Sequence, residues 1–134
     1  MSGYTLMGKV GLPYQKAVEA VRSALAEQGF GILSEIDLKA TLSAKLGVDV
    51  PEQVILGACR PPLAYRALQA DPSIAVMLPC NVVVRALDET TSAVEAFNPD
   101  VMLGLSAAPE LGLVARDAKD RLVAVLATVS EEKS

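Results

Sequence analysis

No histidine occurs among the 134 residues of this chain. Without an imidazole there is no Ser-His-Asp or Cys-His catalysis, no His-ligated zinc or haem, and no histidine proton shuttle. Aromatic residues make up only 4%, which leaves little on which bases or sugars could stack. Cysteine occurs twice, at Cys59 and Cys80. Without a CxxC spacing these form neither a thioredoxin-like motif nor a four-ligand zinc site. Basic residues are outnumbered: 12 Lys and Arg face 16 Asp and Glu, for a net charge of −4. A polyanion needs clustered Lys and Arg, so nucleic acid is not an expected partner. The longest apolar stretch, "IAVMLPCNVVV", is interrupted by Pro79 and Asn81 and is too short to span a bilayer. The opening "MSGYTLMGKV" has no basic segment followed by a sustained apolar run, so no signal peptide is read there. A soluble cytoplasmic protein is expected, with no membrane partner and with both thiols reduced.

What the chain has in quantity is small aliphatic mass: 51% of its residues are hydrophobic, mostly Ala, Val, Leu and Ile. A chain of this length buries roughly two-thirds of its unfolded surface, so it needs no metal or disulfide to stay folded. No linker and no repeat divides it. Residues 1–134 read as one domain, with a core over about 4–128 and a frayed tail at 130–134.

Residues 4–10, "YTLMGKV", alternate and read as an N-terminal strand. Leu12-Pro13 opens a helix, because proline loses nothing in a first turn. Tyr14, Val18, Val21 and Leu25 form its buried stripe, and Gly29 is placed for its C-terminal cap. "FGILSEI" is a second strand, expected to run antiparallel to the first. "DLKATLSAKLG" is a short helix with Asp37 as N-cap, Leu38, Leu42 and Leu46 on one face, and Gly47 at its end. "EQVILGAC" reads as a central strand, and "PPLAYRALQAD" as a helix that Pro72 terminates. "SIAVMLP" fits a helical turn or a strand. "CNVVVRALD" and "SAVEAFN", joined by "ETT", form a hairpin over residues 80–97. Asn98-Pro99 opens a short helix through Leu105. Pro109 opens the last, with Leu111, Ala118, Leu122, Val125 and Val129 on one face. A hairpin among interleaved helices predicts an α+β fold of two layers, a mainly antiparallel sheet with helices on one face.

The stretches "GFGILSEIDLKATLSAKLG", "ILGACRPPLAYRALQADPSIAVMLPCNVVV" and "VMLGL" resemble the domain-of-unknown-function 302 family of small prokaryotic proteins, over roughly residues 4 to 128. The resemblance implies a fold similar to that of the TATA-binding protein, a β-α-β4-α core with inserted short helices. It also implies a homodimer. It implies no activity, and a shared fold is no warrant for DNA binding.

Several side chains are candidates for chemistry. Cys59 ends one strand and Cys80 begins another, so antiparallel neighbours would bring both to one end of the sheet without a disulfide. Paired thiols suit a soft-metal site for Zn or Cu, or a redox-switchable pair, and Arg60 beside Cys59 would lower its thiol pKa. The alternative is that both pack as small hydrophobes. In "SEIDLK", Glu35 and Asp37 together would suit acid/base work or a hard cation. Alternatively, Glu35 is solvated and Asp37 caps the helix that follows. Arg60 and Arg66 flank a helix start that offers N–H groups to an anion, although Pro61 and Pro62 remove two donors. Arg60 is the better fit as a carboxylate clamp for Glu35 or Asp37. Asn81 and Tyr65 complete the polar candidates, while Tyr14 and Tyr65 equally suit packing. "GFG" at 29–31 follows a helix and precedes a strand, the reverse of a nucleotide fingerprint.

Three functional readings follow. The first is a homodimeric small-ligand-binding or regulatory protein without catalysis, its pocket near Cys59, Arg60, Cys80 and Asn81. The second is a thiol- or metal-dependent sensor, carrier or oxidoreductase using Cys59 and Cys80. The third is a structural or partner-binding module. No cofactor is required by the sequence.

Overall fold

Alternating, β-branched segments become five strands in the computed structural model, which describes residues 3–131: Thr5–Val10 (β1), Gly31–Asp37 (β2), Gln53–Cys59 (β3), Cys80–Ala86 (β4) and Ser92–Phe97 (β5). They form one sheet in the order β1-β5-β4-β3-β2, every neighbouring pair antiparallel. The expectation that the first two strands run antiparallel is therefore corrected. β1 and β2 occupy opposite edges, and alternation across the sheet makes them point the same way. The helix Tyr14–Glu27 (α1) returns the chain to the end where β1 began, as a strand–helix–strand crossover does.

Three further helices follow: Leu38–Leu46 (α2), Pro61–Ala70 (α3) and Leu111–Ser130 (α4). The Asp37 carboxylate caps α2 by accepting from the Ala40 N–H at 2.9 Å, and the helix ends at Gly47 with φ 68°. Gly29 follows α1 with φ 85°, a conformation that a side chain would strain. The ambiguous "SIAVMLP" segment is a 3-10 helix, Pro72–Met77, started by Pro72 and by the Asp71 carboxylate on the Ser73 N–H, and followed by a cis Leu78-Pro79 bond. The segment after Asn98 is likewise 3-10, Pro99–Gly104. The β4–β5 hairpin turns on Asp88, whose carboxylate accepts from the Thr90 and Thr91 N–H groups, both at 2.8 Å.

The sheet's period of two decides what each face buries. Val54, Leu56, Val82, Val84 and Val94 point toward α1 and α4, and there meet Val21, Leu25, Leu122, Val125 and Val129 in one core. Each such side chain contributes about 1.5–3 kcal/mol relative to an exposed one. At one end of the sheet Leu63, Ile74, Met102, Leu111 and Val114 gather around Cys80 in a second cluster. A hydrogen bond from Arg121 Nη1 to the Gln28 carbonyl, 3.0 Å, ties α4 to the end of α1.

The expected frayed tail at 130–134 falls at the limit of the description: α4 runs through Ser130, and residues 132–134 lie outside the described residues. No helix among the described residues is long and apolar enough to cross a membrane.

Candidate functional site

The alternation that turns valines toward the helices turns another set of side chains to the sheet's other face. On β4 these are Asn81, Val83 and Arg85; on β5, Glu95 and Phe97; on β1, Thr5 and Met7. The segment around Met77–Pro79 folds over one end of that face. Gly57 permits the approach: a Cβ there would stand 2.8 Å from the Pro79 ring and collide with the Ser34 hydroxyl. Between this segment and the N-terminal strand lies an open cleft of about 490 Å³, lined by Tyr4, Thr5, Met77, Asn81, Glu95 and Phe97, with Val83 among its apolar lining.

A polar chain crosses the sheet beneath it. Arg85 Nη1 donates to Gln53 Oε1 at 3.3 Å and Arg85 Nη2 to Glu95 Oε1 at 2.9 Å. The hydrogen bond from Arg85 is the main reason the Glu95 carboxyl sits below its usual range; a further bond from the Thr5 side chain assists, against the opposing effect of burial. Four strands thus hold one ionised carboxylate in place at the cleft.

The two cysteines do lie at one end of the sheet, because Ala58 pairs with Cys80 and Cys59 follows Ala58. Antiparallel spacing puts their Cα atoms roughly 6 Å apart. Both are free thiols. They share a small, mainly apolar cavity of about 30 Å³ with Arg60, Phe30 and Met102, room for about one water. Burial raises the Cys59 thiol, and burial followed by the charge of Cys59 pushes Cys80 up to about 11. The expected lowering of the Cys59 pKa by Arg60 is corrected by this: removal from water acts on the thiol, and its direction is upward. No group of three or more His, Cys, Asp or Glu side chains among the described residues is placed to hold a metal, so Cys59 and Cys80 stand as two donors without a third.

Arg60 does not clamp Glu35 or Asp37. Its side chain lies over Gly29, whose missing Cβ would stand 3.1 Å from Arg60 Nε. Glu35 instead pairs with Arg22 of α1, and Asp37 is occupied as the α2 cap. Both carboxylates border a polar recess with Tyr14, Lys39 and Glu52. There burial, then the charges of Asp37 and Glu52, raise the Tyr14 hydroxyl. Cys80 and Asn81, adjacent in sequence, face opposite sides of the sheet, so Cys59, Arg60, Cys80 and Asn81 are not brought around one cavity. Of that set only Asn81 lines the cleft on the open face.

Tyr4, Thr5, Met77, Glu95 and Phe97 are the cleft residues that sequence reasoning missed. Period-two alternation in "SAVEAF" marks Glu95 as facing away from the valines. Only the pairing of β1 with β5, however, sets Thr5 beside it.

The profile of the family described as "Domain of unknown function DUF302" matches residues 8–129. The chain belongs to the DUF302 family. A crystal structure described as an uncharacterized conserved protein DUF302 from Bacillus stearothermophilus is similar to it, with 27% identity and a TM-score of 0.85, over 96% of this chain and 99% of that one. No curated protein sequence matches the chain. Membership of DUF302 therefore accounts for the fold and leaves the chemistry to be argued from the site.

Proposed function

We propose that this DUF302 protein is a cytoplasmic, homodimeric small-ligand-binding protein without catalytic activity, and that its ligand occupies the open-face cleft. The cleft carries the reading. Its volume of about 490 Å³ falls within the roughly 300–1,000 Å³ of small-molecule sites. Apolar side chains line it, and a few fixed polar groups supply orientation. The shifted ionisable groups, in the cleft and outside it, argue for binding over reaction, since a general base works best with a pKa near the working pH. Glu95 is held too acidic for that role, while both thiols and Tyr14 are shifted away from their reactive anions. The likeness to the TATA-binding-protein fold implied by the family brings no nucleic-acid partner with it, given a net charge of −4.

Fragment screening by amide NMR tests the reading. Hits are expected to shift Tyr4, Thr5, Asn81 and Phe97 together, and Val83→Trp is expected to abolish them by filling the cleft. Fragments that shift no cleft residue, in a protein that remains folded, would end it.

A second reading rests on the small cavity that Cys59 and Cys80 both line. Two thiols fall short of the four ligands of structural zinc and better suit a soft ion such as Cu(I). Metal analysis of protein purified with Cu or Zn decides it: bound metal that is lost in Cys59→Ser supports the thiol site, and metal-free wild-type protein removes it.

A further inference from the structure

We propose that the open-face cleft selects a small organic cation, a primary or substituted ammonium group carried on a compact apolar body. The inference rests on reading the cleft as the ligand site and adds the class of ligand. Glu95 is the one acidic or basic side chain among the residues lining the cleft. Arg85, its partner, does not line the cleft and is engaged with Gln53 on the side toward β3. A carboxylate has about four acceptor positions. The Arg85 and Thr5 bonds occupy part of that capacity and leave the remainder for a donor from the ligand. Those two bonds also fix the carboxylate, so binding need not order it first.

The other lining groups favour the same class. Tyr4 and Phe97 present aromatic rings, whose negative faces attract a cation within about 6 Å. Met77, Leu78 and Val83 offer an apolar wall, which rewards a hydrocarbon body and gives nothing to a small hydrated ion. Asn81 can accept from an N–H through its carboxamide oxygen. A carboxylate or phosphate ligand would find no Lys or Arg among the lining residues to receive it, because Arg85 lies outside the lining and is already engaged by Glu95 and Gln53. The chain's net charge of −4 adds a field that draws cations and repels anions.

Three probes of nearly equal shape test the proposal: benzylammonium, benzyl alcohol and benzoate, each titrated into the full chain at pH 7 and followed by amide shifts at Tyr4, Asn81 and Phe97. Benzylammonium is expected to bind, benzyl alcohol to bind at least about tenfold more weakly, since bonds to a charged partner are worth that much, and benzoate not at all. Glu95→Gln should bring benzylammonium down to the level of the alcohol. Tyr4→Ala, at an exposed position where folding is not at stake, should weaken benzylammonium by about two- to fivefold. Equal binding of the three, or benzoate binding best, would overturn the cation class while leaving the cleft as a ligand site. Failure of all three to shift the cleft residues would overturn the cation class, and the fragment screen would then decide whether the cleft binds ligands at all.

Discussion

Cys80 keeps its proton in the folded protein because burial, and secondarily the charge of Cys59, oppose the thiolate, so its pKa is pushed from an ordinary 9.0 up to about 11. The sign of the consequence follows from proton counting. Between these two values the unfolded chain has released the proton and the folded chain still holds it, so stability falls as pH rises. The loss reaches about 2–3 kcal/mol once pH passes the folded value. Urea midpoints measured from pH 8 to 11 should therefore decline more steeply in the wild type than in Cys80→Ala, whatever the two differ by at pH 8. Parallel curves would show that Cys80 ionises as readily folded as unfolded. Gly57 makes a second prediction at the same scale. A Cβ there meets the Pro79 ring at 2.8 Å as well as the Ser34 hydroxyl. Gly57→Ala should cost about 1–3 kcal/mol through overpacking. Adding Ser34→Ala should recover only part, because the proline ring remains in the way. Full recovery in the double variant would mean that the Pro79 segment gives way freely.

Among the elements, α2 stands apart. α1 and α4 bury continuous stripes on the sheet, whereas no residue of α2 is fully buried. An isolated helix of nine residues is marginal in water, so its ends carry unusual weight. Asp37 satisfies the Ala40 N–H, and Gly47 supplies the left-handed exit. Asp37→Ala is expected to weaken α2 by about 1 kcal/mol while leaving the core intact. Hydrogen exchange should show faster exchange confined to residues 38–46, with little change for β3, β4 and α4. Acceleration spread evenly over the sheet would instead mean that α2 unfolds only with the whole molecule. The "DLKATLSAKLG" pattern was legible because its cap, periodicity and terminal glycine are local signals. That its leucine face finds so little cover was not, since burial depends on where the sheet lies.

At the scale of the whole molecule, large apolar side chains remain in solvent at both sheet edges. Tyr4 and Met7 are 65% and 63% exposed beside β1, and Leu33 and Leu46 are 67% and 70% exposed near β2. These edges offer apolar side chains that a second copy could cover, as the proposed homodimer requires. Light scattering at micromolar concentration should give one species at twice 14.0 kDa. Its mass should change little between low and high salt, because apolar contacts are not screened. A stable interface of this kind should bury on the order of 1,000 Å² or more. A single 14.0 kDa species across that concentration range would count against the dimer.

The sequence by itself determined every strand and helix that its neighbours in the chain could specify. Pro13, Asp37, Gly47 and Pro72 act within a turn or two of their own positions, and the alternation of "CNVVVRA" and "SAVEAF" sorts their side chains between two faces before any partner is known. It also placed Cys59 and Cys80 at one end of the sheet, because one short connection, residues 60–79, joins the antiparallel strands that hold them. Only the tertiary structure decided that β1 crosses to pair with β5, some ninety residues away in the chain, and so brought Thr5 to Glu95 and Tyr4 to the cleft. It likewise gave Glu35 to Arg22 and laid Arg60 over Gly29. Those outcomes depend on strand order. Long-range pairing is chosen by the packing of the whole core, which no local stretch of sequence encodes.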